Sequence, residues 1–362
     1  MAGMVLARLN RVARLVRFGA RHLLGGSLHG VGLILTRRCN LRCSYCRIIT
    51  SPQASRAREL PPEAWMRIVD RFVATGRLHF IFTGGEPLLY DGLHRVVDHT
   101  AGRALTSLIT NATLLDAEAF RRLRRLDYLT FSWDTLGDAA DGGRGGNGLT
   151  KNPTDLLPML VDQCRRYAIT PSAIVTVTAA NLDDIEPIVQ ALHAQGVSTL
   201  LSLIHSGDQT WDFRGDVPEL TFRTAQSRQA LAALVDRLAA LKRQGIAIAE
   251  SDDFLAHMVD YVRGDFQMDC PAADDFFTVD VDGRIKACHD TPASDQDAQT
   301  FTDYEDMRRR VRATVRPGCN CYYDCYFEAR NTPLQTAARA LRRTPTGALV
   351  TRTLRTLRPH RR

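Results

Sequence analysis

Three of the chain's nine cysteines fall within eight residues, in the run "LTRRCNLRCSYCRI" from Leu35 to Ile48. The spacing is Cys39-x3-Cys43-x2-Cys46, in a segment with no acidic residue. One disulfide would use only two of these thiols, and a structural zinc wants a fourth ligand close by. Three thiolates on one short loop suit a cubane 4Fe–4S cluster with one iron left without a protein ligand, open to a small chelating molecule. A second set, Cys270, Cys288, Cys319, Cys321 and Cys325, lies far along the chain. Zinc is the alternative for this second set, because hairpin knuckles with paired cysteines also bind it. Cys164, in "VDQCRRY", reads as a small helix-packing residue.

The elements that must position the first loop are legible around it. Short β-rich runs, "GVGLILT", "LHFIFTGG", "LTSLITNA", "DYLTFSWD", "SAIVTVTA" and "VSTLLSLIH", alternate with helical patterns between Val31 and about Glu250. "PPEAWMRIVDRFVATG", "DAEAFRRLRRL" and "NLDDIEPIVQALHAQG" each open on helix-start residues, and two of them close on glycine. Six βα units imply an α/β fold with a parallel sheet, open or curled into a partial TIM-like (β/α)6 barrel. Functional groups in such folds gather at the C-terminal ends of the strands, and the cysteine loop follows the first strand. A further helix is expected from about Thr221 to Gln244, and a hairpin at Asp282–Gly283 in "FFTVDVDGRIKAC". The expected domains are a basic amphipathic helix over 1–30, the partial barrel over 31–250, a small cysteine-rich extension over 251–330, and a basic helix or tail over 331–362.

Composition narrows the setting. The chain has 362 residues, 44% apolar and 24% charged, with no apolar run approaching the ~20 residues that span a bilayer. An odd number of clustered cysteines argues against a secreted disulfide framework and for a cytoplasmic protein with thiols kept for metal. The net charge of +7 hides a segregation. Eleven arginines and no acid precede Glu59, and nine arginines and no acid follow Glu328, so the body between carries about −13. On a helical wheel of 5–24, Arg8, Arg11, Arg14 and Arg21 form one side, and Val5, Leu9, Val12, Val16 and Leu23 mainly the other. Such a helix can lie on an anionic membrane surface, which suggests peripheral attachment; packing on the barrel is the alternative. Nucleic acid fits poorly, since the helix over 5–24 and the C-terminal tail offer no aromatic but Phe18 for stacking.

The cysteine loop resembles that of the radical S-adenosylmethionine (radical SAM) superfamily, which reads C-x3-C-x-aromatic-C; Tyr45 supplies the aromatic. "FTGGEP" resembles the family's Gly-Gly-Glu-Pro segment, which implies that Gly84, Gly85, Glu86 and Pro87 bind the amino group of the cofactor's methionine. "ITNATLL" resembles a Thr-Asn-Gly segment, with Thr110 and Asn111 matching and Ala112 standing where glycine is usual. "FSWDTLGDAADGGRG" resembles the segment that holds ribose and carboxylate, which implies roles for Ser132, Asp134 and Arg144; Trp133 and Thr135 depart from the pattern. Asn181 matches a position often facing adenosine. Cys270-x12-Gly283-x4-Cys288 followed by "CNCYYDC" resembles the SPASM/twitch extensions. With five cysteines, one auxiliary 4Fe–4S cluster of the shorter twitch type is implied, and the resemblance leaves open which of Cys319, Cys321 and Cys325 is spare.

The resemblance implies an enzyme that cleaves S-adenosylmethionine reductively to a 5′-deoxyadenosyl radical, which then takes hydrogen from a substrate. No catalytic side chain is implied beyond the cluster-bound cofactor. A one-electron donor such as flavodoxin or ferredoxin is the implied partner. Only about 30 residues precede the first strand, fewer than a leader-recognition domain needs, so a small-molecule or lipid-linked substrate is expected over a peptide. A peptide-modifying maturase is the alternative, and a non-enzymatic iron–sulfur redox or nucleic-acid-binding protein is the rival from another class. His205, Asp208 and Trp211 follow the sixth strand, where substrate contacts would fall, and His289 and Asp290, which follow the implied cluster ligand Cys288, are further candidates.

Overall fold

The computed structural model describes residues 30–48, 58–136, 153–204, 217–268, 270–274, 276–316, 318, 321–324 and 327. The expected N-terminal helix and C-terminal tail, and Arg144, His205, Asp208, Trp211, Cys319 and Cys325, lie outside these residues.

Six strands run in chain order: β1 (Gly30–Thr36), β2 (His79–Gly84), β3 (Leu105–Thr110), β4 (Tyr128–Ser132), β5 (Thr170–Val177) and β6 (Ser198–Leu203). Each pairs in parallel with the next. The helices between them are α1 (Pro62–Ala74), α2 (Leu93–Thr100), α3 (Ala117–Arg122), α4 (Pro153–Tyr167) and α5 (Leu182–Ala194). With strands in sequential order and right-handed crossovers, every helix falls on one face of the sheet. α1 shows why these residues are helical: Pro62 occupies its first turn, and Trp65, Ile68, Val69 and Phe72 make one buried stripe. Cys164 is fully buried in α4.

The sheet does not close. Its order is β6-β5-β4-β3-β2-β1-β7-β8, an unclosed, mostly parallel α/β sheet of the partial-barrel kind. At the β6 edge Thr199 pairs with the strand-like segment around Ile248. Two further helices, α6 (Ala225–Arg243) and α7 (Asp252–Arg263), carry the chain towards β7 (Phe276–Val279) and β8 (Ile285–Lys286). Asp282–Gly283 turns the expected hairpin, with Gly283 at φ +87°. This hairpin is not set apart from the sheet: β7 lies parallel to β1, with Gly32 opposite Thr278. α8 (Tyr304–Arg312) then returns along it.

The face away from the helices is the one that matters for a ligand. Along β4, β5 and β6 buried residues alternate with half-buried ones. The helix side takes Leu129, Phe131, Ala173, Val175 and Leu201. The open side takes Thr130, Ser172, Ile174, Ser198 and Ser202, all half-buried.

Candidate active site

The cysteine loop leaves the C-terminal end of β1 and is anchored to its neighbours before the first cysteine. Arg37 is 1% exposed and sends Nε to Asp280 Oδ1 at 3.0 Å, so the end of β7 holds the start of the loop. Arg38 pairs with Glu59 at 2.7 Å and donates to the Leu89 carbonyl at 2.6 Å. Within the loop Cys46 N donates to the Cys43 carbonyl at 3.0 Å. Cys39, Cys43 and Cys46 are all half-buried.

The Gly-Gly-Glu-Pro segment packs directly on that start. Gly85 N donates to the Thr36 carbonyl and Glu86 N to the Arg38 carbonyl, both at 2.8 Å. A Cβ on Gly84 would lie 2.2 Å from the Thr36 oxygen, and one on Gly85 would lie 2.1 Å from the Arg38 oxygen. The glycines therefore let two stretches of backbone meet, one of them carrying the cysteines.

Glu86 is fully buried, and both of its carboxylate oxygens accept from the chain itself. Leu88 N at 3.0 Å and Thr110 Oγ1 at 2.8 Å reach Oε1, and Asn111 N at 2.8 Å reaches Oε2. Burial pushes this carboxyl above its ordinary range, against the pull of those three donors. Asn111 carries the connection on to the loop. Its Nδ2 donates to Asn40 Oδ1 at 2.9 Å and contacts Cys39 Sγ at 3.8 Å, while its Oδ1 accepts from Thr113 N at 3.0 Å. Ala112, where glycine is usual in the resembling segment, adopts φ +63° and is buried.

The third support comes from β4 and β5. Tyr45 OH donates to Asp134 Oδ2 at 2.6 Å, and Thr176 N donates to Asp134 Oδ1 at 2.8 Å. Asn181 Nδ2 donates to the Asp134 carbonyl at 2.7 Å and to the Thr176 carbonyl at 2.8 Å, while its Oδ1 accepts from Thr178 N at 2.8 Å. Asn181 is 5% exposed and is a brace beneath the site. Ser132, half-buried at the end of β4, stays on the open side. Pro87 is buried at the start of a single helical turn, Pro87–Leu89.

These residues fit a cluster. Cys39 Sγ accepts from Leu41 N at 3.4 Å and from Asn111 Nδ2 at 3.8 Å, the polarity that a metal-bound thiolate needs. Burial pushes the Cys39 thiol up, and the charges of Glu86 and Cys46 add to this. Positively charged iron is the partner that reverses that balance. Among the described residues, no three His, Cys, Asp or Glu side chains close around a single metal ion.

In the second cysteine region Cys270 is half-buried and Cys288 is buried. Arg312 of α8 donates to the carbonyls of Cys270 and of Ala272. Tyr323 OH donates to Asp290 Oδ2 at 2.7 Å, which ties the Cys321 segment to the Cys288 turn. Next to it Tyr322 is fully buried, tilted against Phe254 and stacked on Tyr261 of α7 with centroids 4.6 and 5.0 Å apart. Arg37, Asp280 and Lys286 are buried residues that the motifs did not point to. Nothing in the sequence pairs Arg37 with an acid 243 positions away.

The unclosed parallel sheet, with its three-cysteine loop at the end of the first strand, has relatives among known proteins. Residues 33–192 match the family described as the Radical SAM superfamily. An Fe-coproporphyrin III synthase of Methanosarcina barkeri is 25% identical over 216 residues, 58% of this chain and 52% of that protein. A PqqA peptide cyclase of Granulibacter bethesdensis is 36% identical over 107 residues, 28% of each chain. The chain thus spans about half the length, or less, of these relatives. Among solved structures, native anSMEcpe with bound AdoMet superposes with a TM-score of 0.57 at 16% identity, covering 79% of this chain and 83% of that one. Streptococcus suis SuiB bound to S-adenosylmethionine gives 0.55 at 15%, covering 73% and 60%. At such identities the likeness is one of fold. No helix among the described residues is long and apolar enough to cross a membrane.

Proposed function

We propose that the chain is a radical SAM enzyme acting on an organic substrate held at the open face of the sheet. Cys39, Cys43 and Cys46 would hold a 4Fe–4S cluster whose free iron takes S-adenosylmethionine. When bound, the pair supplies a one-electron cleavage and the removal of hydrogen from an unactivated carbon. The chain's own part is positioning. Glu86 after β2 and Asn111 after β3 fix the loop on one side, Asp134 after β4 holds its Tyr45, and Asp280 after β7 holds its Arg37. The observation that carries the reading is this convergence of three supports on one three-cysteine loop, within the stretch that matches the family.

Ser132, beside the loop on the open side, is the described residue best placed among the resembling positions to meet the nucleoside. Arg144 remains a proposal from the resemblance alone. Cys270, Cys288 and the Cys319–Cys325 segment are proposed to hold an auxiliary cluster, supported by the ties of Arg312 and Tyr323. A small-molecule substrate is the first reading. A peptide is the second, favoured by the 36% match to a PqqA peptide cyclase.

Anaerobic incubation of the iron-reconstituted protein with dithionite and S-adenosylmethionine tests the proposal. 5′-Deoxyadenosine should form, and should be lost when Cys39, Cys43 and Cys46 are all replaced by alanine. Formation of none by the intact protein at full iron content refutes it.

A further inference from the structure

β1 carries glycine at two positions that share a face with Phe276 and Thr278 of β7, opposite the face on which Phe277 packs against Phe72 of α1. The two glycines have different reasons. A Cβ on Gly30 would lie 2.6 Å from the Phe276 ring, so a side chain is excluded there. A Cβ on Gly32 would lie 3.5 Å from each of His289 Nε2, Phe276 Cε1 and Thr278 Oγ1, which is ordinary contact. Alanine fits at that position. Glycine instead leaves a methyl-sized recess, ringed by an imidazole nitrogen, a hydroxyl and an aromatic edge.

Two facts mark this recess as more than a packing gap. Thr278 is fully buried, and its Oγ1 has no hydrogen-bond partner among the described residues. A buried hydroxyl left in that state is unfavourable, and a ligand group in the recess would satisfy it. His289, half-buried, is held in place from behind. Its carbonyl accepts from buried Lys286 Nζ at 2.8 Å, and Lys286 lies 4.0 Å from the same Asp280 carboxylate that Arg37 holds beside the cysteine loop.

The recess lies at one end of a row of the sheet. Gly32 is in register with Thr278 and Ile81, Ile81 with Ser107, and Ser107 with Tyr128. None of these residues carries a formal charge, and beyond Ile81 the row is hydroxylated. One row on, Thr130 and Ser172 face each other with oxygens 2.9 Å apart. Hydroxyls both donate and accept, so such a surface matches an uncharged group that does the same.

The geometry points to this recess as the substrate-reading subsite of the open face, taking one hydroxyl of an uncharged polyol or glycosyl unit between His289 Nε2 and Thr278 Oγ1. The inference rests on the radical SAM reading for calling the occupant a substrate.

Saturation-transfer NMR on the holoenzyme tests it without turnover, using methyl glucoside as the probe and N-methylacetamide as a peptide surrogate. Gly32→Ala fills the recess, and Thr278→Val removes its hydroxyl at nearly constant shape; neither should lower the melting temperature. The glucoside signal should fall at least threefold in both variants, with the acetamide signal weaker and unmoved. Equal glucoside signals in wild type and both variants overturn the subsite. A recess-dependent acetamide signal without a glucoside one overturns the substrate class in favour of a peptide. 5′-Deoxyadenosine is measured on the same samples, which separates the two readings. Recess-dependent glucoside binding without that product sinks the enzyme reading alone. Product formation with recess-independent binding sinks the subsite alone.

Discussion

Replacing Glu86 by alanine strips three donors of their acceptor at once, buried Thr110 Oγ1 and part-buried Leu88 N and Asn111 N. Each unsatisfied buried donor costs about 1–3 kcal/mol. Thr110 can rotate its hydroxyl and water can enter the space left, so we expect a net loss of about 3–5 kcal/mol. Unfolding entropy near 2.1 cal/mol/K per residue gives about 0.8 kcal/mol/K for this chain, so the melting temperature should fall by roughly 4–6 °C. Burial also holds the Glu86 carboxyl above its ordinary range. The native state therefore binds that proton more tightly than the unfolded chain does. The stability linked to it is present below the unfolded carboxyl's pKa and is lost as pH rises through the native one. The gap between wild type and Glu86→Ala should accordingly narrow as pH is raised. Anaerobic thermal melts across pH, with calorimetric titration of S-adenosylmethionine alongside, check both points. A melting temperature unchanged within a degree, together with weakened cofactor binding, would show that the carboxylate faces the ligand and that its support of Asn111 is not what holds the loop.

Other perturbations probe the remaining supports. Asp280→Asn breaks the buried pair with Arg37 and should cost about 3 kcal/mol, read from the urea midpoint; an unshifted midpoint refutes the anchoring role. Tyr45→Phe deletes the 2.6 Å bond to Asp134. It should leave the iron content intact while a chelator strips iron several-fold faster, and equal rates would remove Tyr45 from the loop's support.

Much of this protein is written locally. The six strands, the α1 stripe and the Asp282–Gly283 turn follow from hydrophobic period and turn chemistry, which depend on residues within a few positions of one another. The cysteine spacing belongs to the same class, because one short loop supplies all three thiols. α3 is shorter than its helical pattern, ending at Arg122, after which Leu123 and Leu126 turn into the core instead of continuing the helix. The cysteine-rich region reads in sequence as an appendage, yet β7 lies against β1, because an unclosed sheet leaves the β1 edge in need of a partner. The motif residues show the limit most clearly. Types at matching positions indicated ligand contacts for Glu86, Asn111, Asp134 and Asn181. Only the fold decided that their polar atoms first satisfy buried backbone and each other, since donors and acceptors far apart in sequence can be counted only once they meet. The same holds for Arg37 with Asp280 and for Thr278 with His289 at Gly32. Their approach depends on how distant strands, and the turns that follow them, are set side by side, which no local stretch of the chain contains.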